Sequence, residues 1–267
     1  VKNQALEKIM TLADLQWAMD NDFEMVQHYQ RQVTVLEDLS IFLKWLHDNE
    51  IVTTTVSQLK RRKRRSQGIH PSSACKKGVC LKKIYYECTF EIPPSREYDQ
   101  QMQMTWDIGT MLHDLHQLWF KEMYGDQFQA EVPLQSGLIK SRTDGIFTFT
   151  NFRKVLEAKS IKEGGNFGFD TVQHTPMDDH VRQAHFYMKL ADVPFALIFY
   201  MAKNTSEYAE HAVAFNPIIW EEIERDVIIP VTDAVNGGPD VPFSPGWHCR
   251  WCDFEYSCSK GEKHAEW

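Results

Sequence analysis

Two short stretches of the chain carry side chains able to do chemistry on a phosphate ester. One is Ser141-Arg-Thr-Asp144-Gly145-Ile-Phe and the other is Val155-Leu-Glu157-Ala-Lys159-Ser. If they form a hairpin that turns near Asn151, residues whose numbers sum to about 301 stand opposite each other, and Asp144 faces Glu157. Cross-strand neighbours of this kind hold their Cβ atoms about 5 Å apart. Lys159, two residues from Glu157, then lies on the same face of the sheet. Two adjacent carboxylates repel unless a cation sits between them. That is an arrangement for Mg2+ or Mn2+, hard ions that take oxygen ligands, with the backbone carbonyl of Ala158 as a further donor. Such an ion binds a phosphodiester oxygen and lowers the pKa of a bound water. Lys159 can orient that water or meet the charge that builds on phosphorus. The plain alternative is a surface salt bridge between Glu157 and Lys159. The apolar neighbours Val155 and Leu156 argue instead for a half-buried strand carrying a functional site.

The second set is sulfur. Cys249-Arg-Trp-Cys252 is followed after five residues by Cys258. Two thiolates separated by two residues can grip one metal centre from a tight turn, and a third closes it. The aromatic residues Trp247, Trp251, Phe254 and Tyr256 would keep water away. A fourth ligand must come from the early group, Cys75, Cys80 and Cys88, more than 160 residues upstream. Clustered cysteines in a cytosolic chain hold metal more often than they form disulfides.

The elements that must position these residues follow from periodicity. The first sixty residues repeat apolar side chains at helical intervals and predict two or three amphipathic helices. Lys60–Pro71 is polar and basic, contains Gly68 and Pro71, and reads as a linker or exposed loop. Leu81–Phe90 fits helix or strand, and Ile92-Pro-Pro-Ser-Arg96 is a break. Met104–Tyr124 carries a broad apolar stripe and predicts a helix ended by Gly125. From Gln129 the period changes to two, giving strands near Ala130–Leu134, Gly137–Thr150 and Lys154–Ile161. A helix over His180–Leu190, a buried strand over Pro194–Ala202, a strand over Ala212–Phe215 and a helix over Ile218–Val235 complete the order. The expected fold is α/β, a mixed central sheet flanked by helices. An N-terminal helical extension and basic linker would span 1–66, and a domain with cysteines at both ends would span 67–267.

At 267 residues the chain suffices for one large domain or for one domain plus an appendage. It carries 29 basic and 37 acidic residues, a net charge of −8, yet the charge is uneven. Lys60 to Lys83 holds ten basic residues and no acid, a strip able to attract a phosphate backbone over a Debye length of roughly 8–10 Å. A solvated charge run is the other reading of it. No run of 18 or more apolar residues occurs and the amino terminus lacks a signal-peptide core, so no membrane span is expected and a cytoplasmic location is.

Together these motifs resemble the RecB-type branch of the PD-(D/E)XK nucleases, most of all the iron–sulfur exonucleases of the CRISPR-associated Cas-four type and their phage relatives. Gly109-Thr-Met-Leu-His113 matches the G-x-x-x-H helix, Asp144-Gly145 the aspartate–glycine strand, Glu157-Ala-Lys159 the E-x-K strand, and Gln183-Ala-His-Phe-Tyr187 the Q-x-x-x-Y helix. The resemblance implies a restriction-endonuclease-like core and His113 as a metal ligand beside Asp144 and Glu157, with His116 the competing candidate. It implies DNA contacts from Gln183 and Tyr187, which share a helix face, and from the basic strip that includes Lys82 and Lys83. It also implies a 4Fe–4S cluster on Cys249, Cys252, Cys258 and an early cysteine before a basic pair. Cys80 is chosen there, Cys75 is the alternative, and Cys88 reads as a buried apolar residue. Zn2+ on the same thiolates is the competing centre. Glu131 is at most an accessory acid, packing or solvent exposure being the other reading.

The resulting expectation is a metal-dependent DNA exonuclease acting on single-stranded ends in replication, recombination or repair, with a helicase as a candidate partner. A structure-selective endonuclease or helicase-associated subunit, and a non-catalytic metal-stapled DNA-binding module, are the alternatives.

Overall fold

Strand-forming sequence starts at Phe128, and the sheet it builds carries the acids. The computed structural model describes residues 11–51, 66–90, 100–165, 168–246, 248, 249, 252–254 and 258. The expectations placed on Lys60–Arg65, on the break at Ile92–Arg96 and on Trp247, Trp251 and Tyr256 lie outside the described residues. Helices α1 (Leu12–Asn21), α2 (Phe23–Val33), α3 (Leu36–Asp48), α4 (Pro71–Ala74), α5 (Leu81–Thr89) and α6 (Gln100–Tyr124) precede strands β1 (Phe128–Ser136), β2 (Ile139–Thr148) and β3 (Arg153–Ile161). Helices α7 (Phe169–Val172) and α8 (Asp178–Ala191) lead to β4 (Phe195–Ala202) and β5 (Tyr208–Ala214), followed by α9 (Pro217–Ile223) and α10 (Ile229–Val235). Among the described residues no helix is long and apolar enough to cross a membrane.

The five strands form one mixed sheet in the order β1-β2-β3-β4-β5. Only β3 and β4 are parallel, joined through α7 and α8; the other pairs are antiparallel. The expected α/β architecture is the one observed. In the β2–β3 ladder Gly145 pairs with Leu156, Ile146 with Val155, Phe147 with Lys154 and Thr148 with Arg153, so the register sums to 301 as the spacing predicts.

Alternation sorts the sheet into two faces. Leu156 and Ala158 share one face with Leu197 and Phe199, and α6 packs there, with the Phe120 ring centroid 5.5 Å from Phe199 and 5.6 Å from Phe147. Glu157 and Lys159 share the other with Ile198 and Tyr200, under α8, whose His180 Nδ1 lies 2.8 Å from the Tyr200 hydroxyl. The N-terminal helices join this core. Leu15, Ala18, Val26, Tyr29, Val33 and Leu39 are buried in the same cluster as the sheet. Helix α1 opens on a Thr11–Asp14 capping box, and the α2–α3 corner is fixed by Glu210, which accepts hydrogen bonds from Val35 N (2.6 Å) and Leu36 N (3.1 Å).

Three local expectations are corrected. The described part of the supposed exposed linker is buried at Ile69, His70 and Pro71. Ile69 makes a parallel bridge to Ile139, at the end of β2 that β3 does not reach. Gly68 permits this approach, because a Cβ there would lie 2.5 Å from the Leu138 carbonyl oxygen. Strand β5 begins at Tyr208 rather than Ala212, since its polar residues are used internally: Glu210 caps α3, and His211 Nε2 lies 2.6 Å from the Val172 carbonyl. Finally, the helix expected over Ile218–Val235 widens into a π turn at Glu224–Ile228, just ahead of Pro230, which has no N–H to offer the regular ladder.

Candidate metal centre and cysteine cavity

The β2–β3 ladder ends at Gly145–Leu156, and beyond it side chains replace backbone pairing. Thr143 Oγ1 donates to the Leu156 carbonyl (2.9 Å), and Asp144 Oδ2 accepts from Ala158 N–H (2.7 Å). The Asp144 carboxylate is thus tied across the gap between the strands. Gly145 after it is a packing requirement: a Cβ would stand 2.3 Å from Cε2 of the buried Phe128 ring.

Helix α6 brings His113 to the same gap. Its Nε2 lies 3.1 Å from Asp144 Oδ2 and 3.3 Å from the Ala158 carbonyl oxygen. Burial disfavours the imidazolium, but the hydrogen bond and charge of Asp144 outweigh it and carry the His113 pKa up to about 9. Around the other ring nitrogen stand Gln117, whose Nε2 lies 3.4 Å from Nδ1, and Glu131, with Oε1 4.0 Å from Nδ1. Gln117 also donates to Glu131 Oε1 (2.9 Å) and to the Asp144 carbonyl (3.1 Å). Glu131 has a left-handed backbone (φ 55°) in the middle of β1 and pairs with Arg142 at 3.1 Å. One ligand atom from each of His113, Glu131 and Asp144 lies within 4.8 Å of the others.

Glu157 stands outside that group. It is fully buried, its Oε1 meets the Lys159 ammonium, and no hydrogen bond reaches Oε2 among the described residues. Burial pushes its carboxyl pKa up against the pull of Lys159, and the charge of Asp144 raises it further. Burial works against the Lys159 ammonium, but Glu157 and Asp144 together keep its pKa raised. Behind the acids, Gln183 donates to the Tyr187 hydroxyl (2.8 Å), both side chains buried on α8. Burial pushes the Tyr187 phenol pKa well up, and the charges of Glu157 and Asp144 raise it further. His116 is instead a core residue among Trp119, Phe199 and Tyr208, its pKa lowered to about 4 by burial.

The six cysteines are free thiols. Cys80, Cys249, Cys252 and Cys258 line one small cavity, walled by Tyr86, Phe243 and Phe254. Tyr86 and Phe254 touch with ring centroids 5.5 Å apart, and Lys82 pairs with Asp240 at 2.6 Å, so α5 and the tail are held together. Cys75 is elsewhere, buried at the end of α4 and under the electrostatic influence of Arg182, Glu157 and Asp179. Cys88 is buried in the core cluster. Lys82 and Lys83 both line the cysteine cavity and both have acidic partners, Asp240 and Glu87 (3.8 Å). Sequence reasoning missed Gln117. Its only signal was a position one helical turn beyond His113.

Comparison of the sequence with family models and with curated proteins gives no match. Among solved structures the chain is similar to SSO0001, at 18% identity over 85% of this chain and 98% of that one, with a TM-score of 0.45. It is also similar to LHK-Exo, an alkaline exonuclease from Laribacter hongkongensis, at 11% identity over 64% of this chain and 88% of that one, with a TM-score of 0.46. The same enzyme in complex with dAMP matches at 11% identity over 64% and 90%, with a TM-score of 0.43.

Proposed function

We propose that the chain is a divalent-metal-dependent deoxyribonuclease of the PD-(D/E)XK type that shortens single-stranded DNA ends. The observation that carries this reading is the convergence of His113 Nε2, Asp144 Oδ2 and the Ala158 carbonyl oxygen beside a buried carboxylate. Ligands at about 2.1 Å from an octahedral ion stand about 3 Å apart along an edge. The His113–Asp144 and His113–Ala158 separations of 3.1 and 3.3 Å suit such an edge. Glu157 Oε2 is buried with no hydrogen-bond partner among the described residues, a position in which a divalent ion would add to the charge that Lys159 supplies at Oε1. The residues fit Mg2+ or Mn2+.

A bound ion of this kind supplies Lewis-acid charge to a phosphodiester oxygen and a water of lowered pKa. The chain supplies the geometry. Ala158 N–H pins one oxygen of Asp144. Gln117 and Glu131, on the far side of the His113 ring, fix its orientation in the way outer partners of metal-bound histidines do. Lys159, held against Glu157, keeps an ammonium where it can donate to an attacking water or to a phosphate oxygen. Tyr187 and Gln183, hydrogen-bonded to each other on α8, brace the site from behind the acids.

The cysteine cavity is read as a 4Fe–4S site on Cys80, Cys249, Cys252 and Cys258. Four thiols on one apolar-walled cavity are the donor set such a cluster takes. Its role is to fasten the tail to α5.

The test is purified protein with 5′- and 3′-labelled linear strands, duplexes and circular single strands, with Mn2+ or with EDTA. Shortening of linear single strands in Mn2+ alone, with circles intact, is expected. Cut circles return the endonuclease reading; no cleavage of any DNA with either ion overturns the assignment. The cluster predicts a brown protein absorbing near roughly 400 nm. A colourless protein containing zinc overturns that part.

A further inference from the structure

The cavity over His113 and Glu131 extends well past the atoms that can hold an ion. Its volume is about 580 Å³, within the range of roughly 300–1,000 Å³ typical of small-molecule sites. It is lined by a stripe of α6 made of Trp106, Gly109, Thr110 and His113, together with Ser160 at the end of β3, beside Gly109, and Lys203 just after β4. Trp106 and His113 are seven residues apart, so they share a helix face about 10 Å from each other along the axis. The half-buried indole therefore stands at one end of the cavity and the metal-binding imidazole at the other. Lys203 has no ion-pair partner and Ser160 Oγ no hydrogen-bond partner among the described residues, and neither helps hold Glu157 or Asp144 in place.

An aromatic face, an ammonium and a hydroxyl around one nucleotide-sized space match the chemistry of an unpaired nucleotide. Every base offers a π-face, and the phosphate next to it seeks a cation. In a duplex both faces of a base are covered by its stacked neighbours. Resting on the nuclease reading above, we propose that this cavity is a single-strand subsite: Trp106 stacks one unpaired base while Lys203 and Ser160 hold the adjoining phosphate. The subsite thus selects unpaired strand next to the bond to be cut, and does so without reading base identity.

The test separates binding from chemistry. The full chain and its Trp106→Ala, Trp106→Phe and Lys203→Ala variants are titrated with a fluorescein-labelled dT 12-mer in EDTA by anisotropy, and with the same length of fully abasic strand. Trp106→Ala is expected to weaken binding of the dT strand about tenfold, within the range of one lost base stack. Trp106→Phe should restore most of it, and the abasic strand should be held equally by the parent and Trp106→Ala. Lys203→Ala should weaken both strands alike and flatten the salt dependence by about one phosphate contact. The subsite is overturned if Trp106→Ala leaves the dT affinity unchanged or lowers the two affinities equally. Cleavage in Mn2+ is scored separately. Trp106-dependent binding without any cleavage sinks the nuclease reading and leaves the subsite standing. Cleavage with Trp106 irrelevant does the reverse, and a parent protein that neither binds nor cuts removes both.

Discussion

The acid site and the cysteine cavity are built in opposite ways. Glu131, Asp144 and Glu157 lie on three neighbouring strands of one sheet, whose paired stretches run up to Ala130–Gly145 and Gly145–Leu156 and bring the three acids to one end of the sheet. The cysteine cavity joins the start of α5 to a tail more than 160 residues later, through the side chains that line it. In the first, the fold makes the site; in the second, the site makes part of the fold. A bound ion at the acids is therefore an addition to a frame already fixed by hydrogen bonds. A metal centre at the thiols is a crosslink whose binding free energy is also folding free energy. The two regions should fail differently when broken.

The largest effect is expected at Asp144. Asp144→Asn keeps an acceptor for Ala158 N–H but removes the charge from the ligand set, so cleavage in Mn2+ should fall about a thousandfold. The thermal midpoint should move little. A variant that melts early instead of reacting slowly would erase the contrast between the two regions. Cys252→Ser is the opposite case: loss of the visible absorption, with stability lowered by about 3 kcal/mol, or roughly 10 °C in midpoint. Cys88→Ala is its control, a thiol in the core that should keep the colour and lose about 1 kcal/mol. Equal loss of colour in both would mean that the cavity does not define the centre.

A third substitution probes the frame itself. In Gly145→Ala the new methyl must displace the Phe128 ring, which should cost about 1–3 kcal/mol. Because Gly145 is the last residue of the β2–β3 ladder before the strands part, the Mn2+ concentration for half-maximal cleavage should rise as well. A large loss of stability with unchanged Mn2+ dependence would show that Asp144 is held by Ala158 alone.

The same contrast decides what the sequence could reveal. The hairpin sum of 301 holds from Thr148–Arg153 to Gly145–Leu156, because strand register is a local property set by one turn and the period of two. The helix–strand order was legible for the same reason. The parting of the strands just before Asp144 and Glu157 was not legible. The choice of Cys80 over Cys75 came only from motif resemblance, since two cysteines before two basic pairs are equivalent in sequence. Tertiary packing separates them, Cys80 on the cavity and Cys75 near Arg182 and Glu157. Gln117 and the burial of Ile69 were invisible for a related reason: each depends on a partner from another element, Glu131 and Asp144 for one and Ile139 for the other.

The smallest effect lies on the sheet face opposite the Glu157 carboxylate. Lys154, the second residue of β3 and three before Glu157, is 1% exposed, donates to the Val33 carbonyl at 2.5 Å and lies over Phe147 at 4.5 Å and Phe149 at 5.2 Å. It thereby ties the end of α2 to the sheet. Burial lowers its pKa from 10.5 to about 7, although the charges of Glu210 and Asp38 oppose the shift. Tyr124, which donates to Asp38 at 2.5 Å, is a further titratable group at this corner. The unfolded chain keeps the Lys154 proton up to about 10.5, so between pH 7 and 10.5 it binds more protons than the folded one. Stability must then rise with pH across that window, by at most about 1.4 kcal/mol per unit for a single proton. Lys154→Met fills the same space without titrating, so urea unfolding at pH 7.5 and 9.5 should show a smaller rise in the variant than in the parent. Cleavage per folded molecule should differ little between the two proteins, because the lysine points away from the acids. An identical pH slope in both would mean that Lys154 keeps its proton in the fold, with Glu210 and Asp38 outweighing its burial.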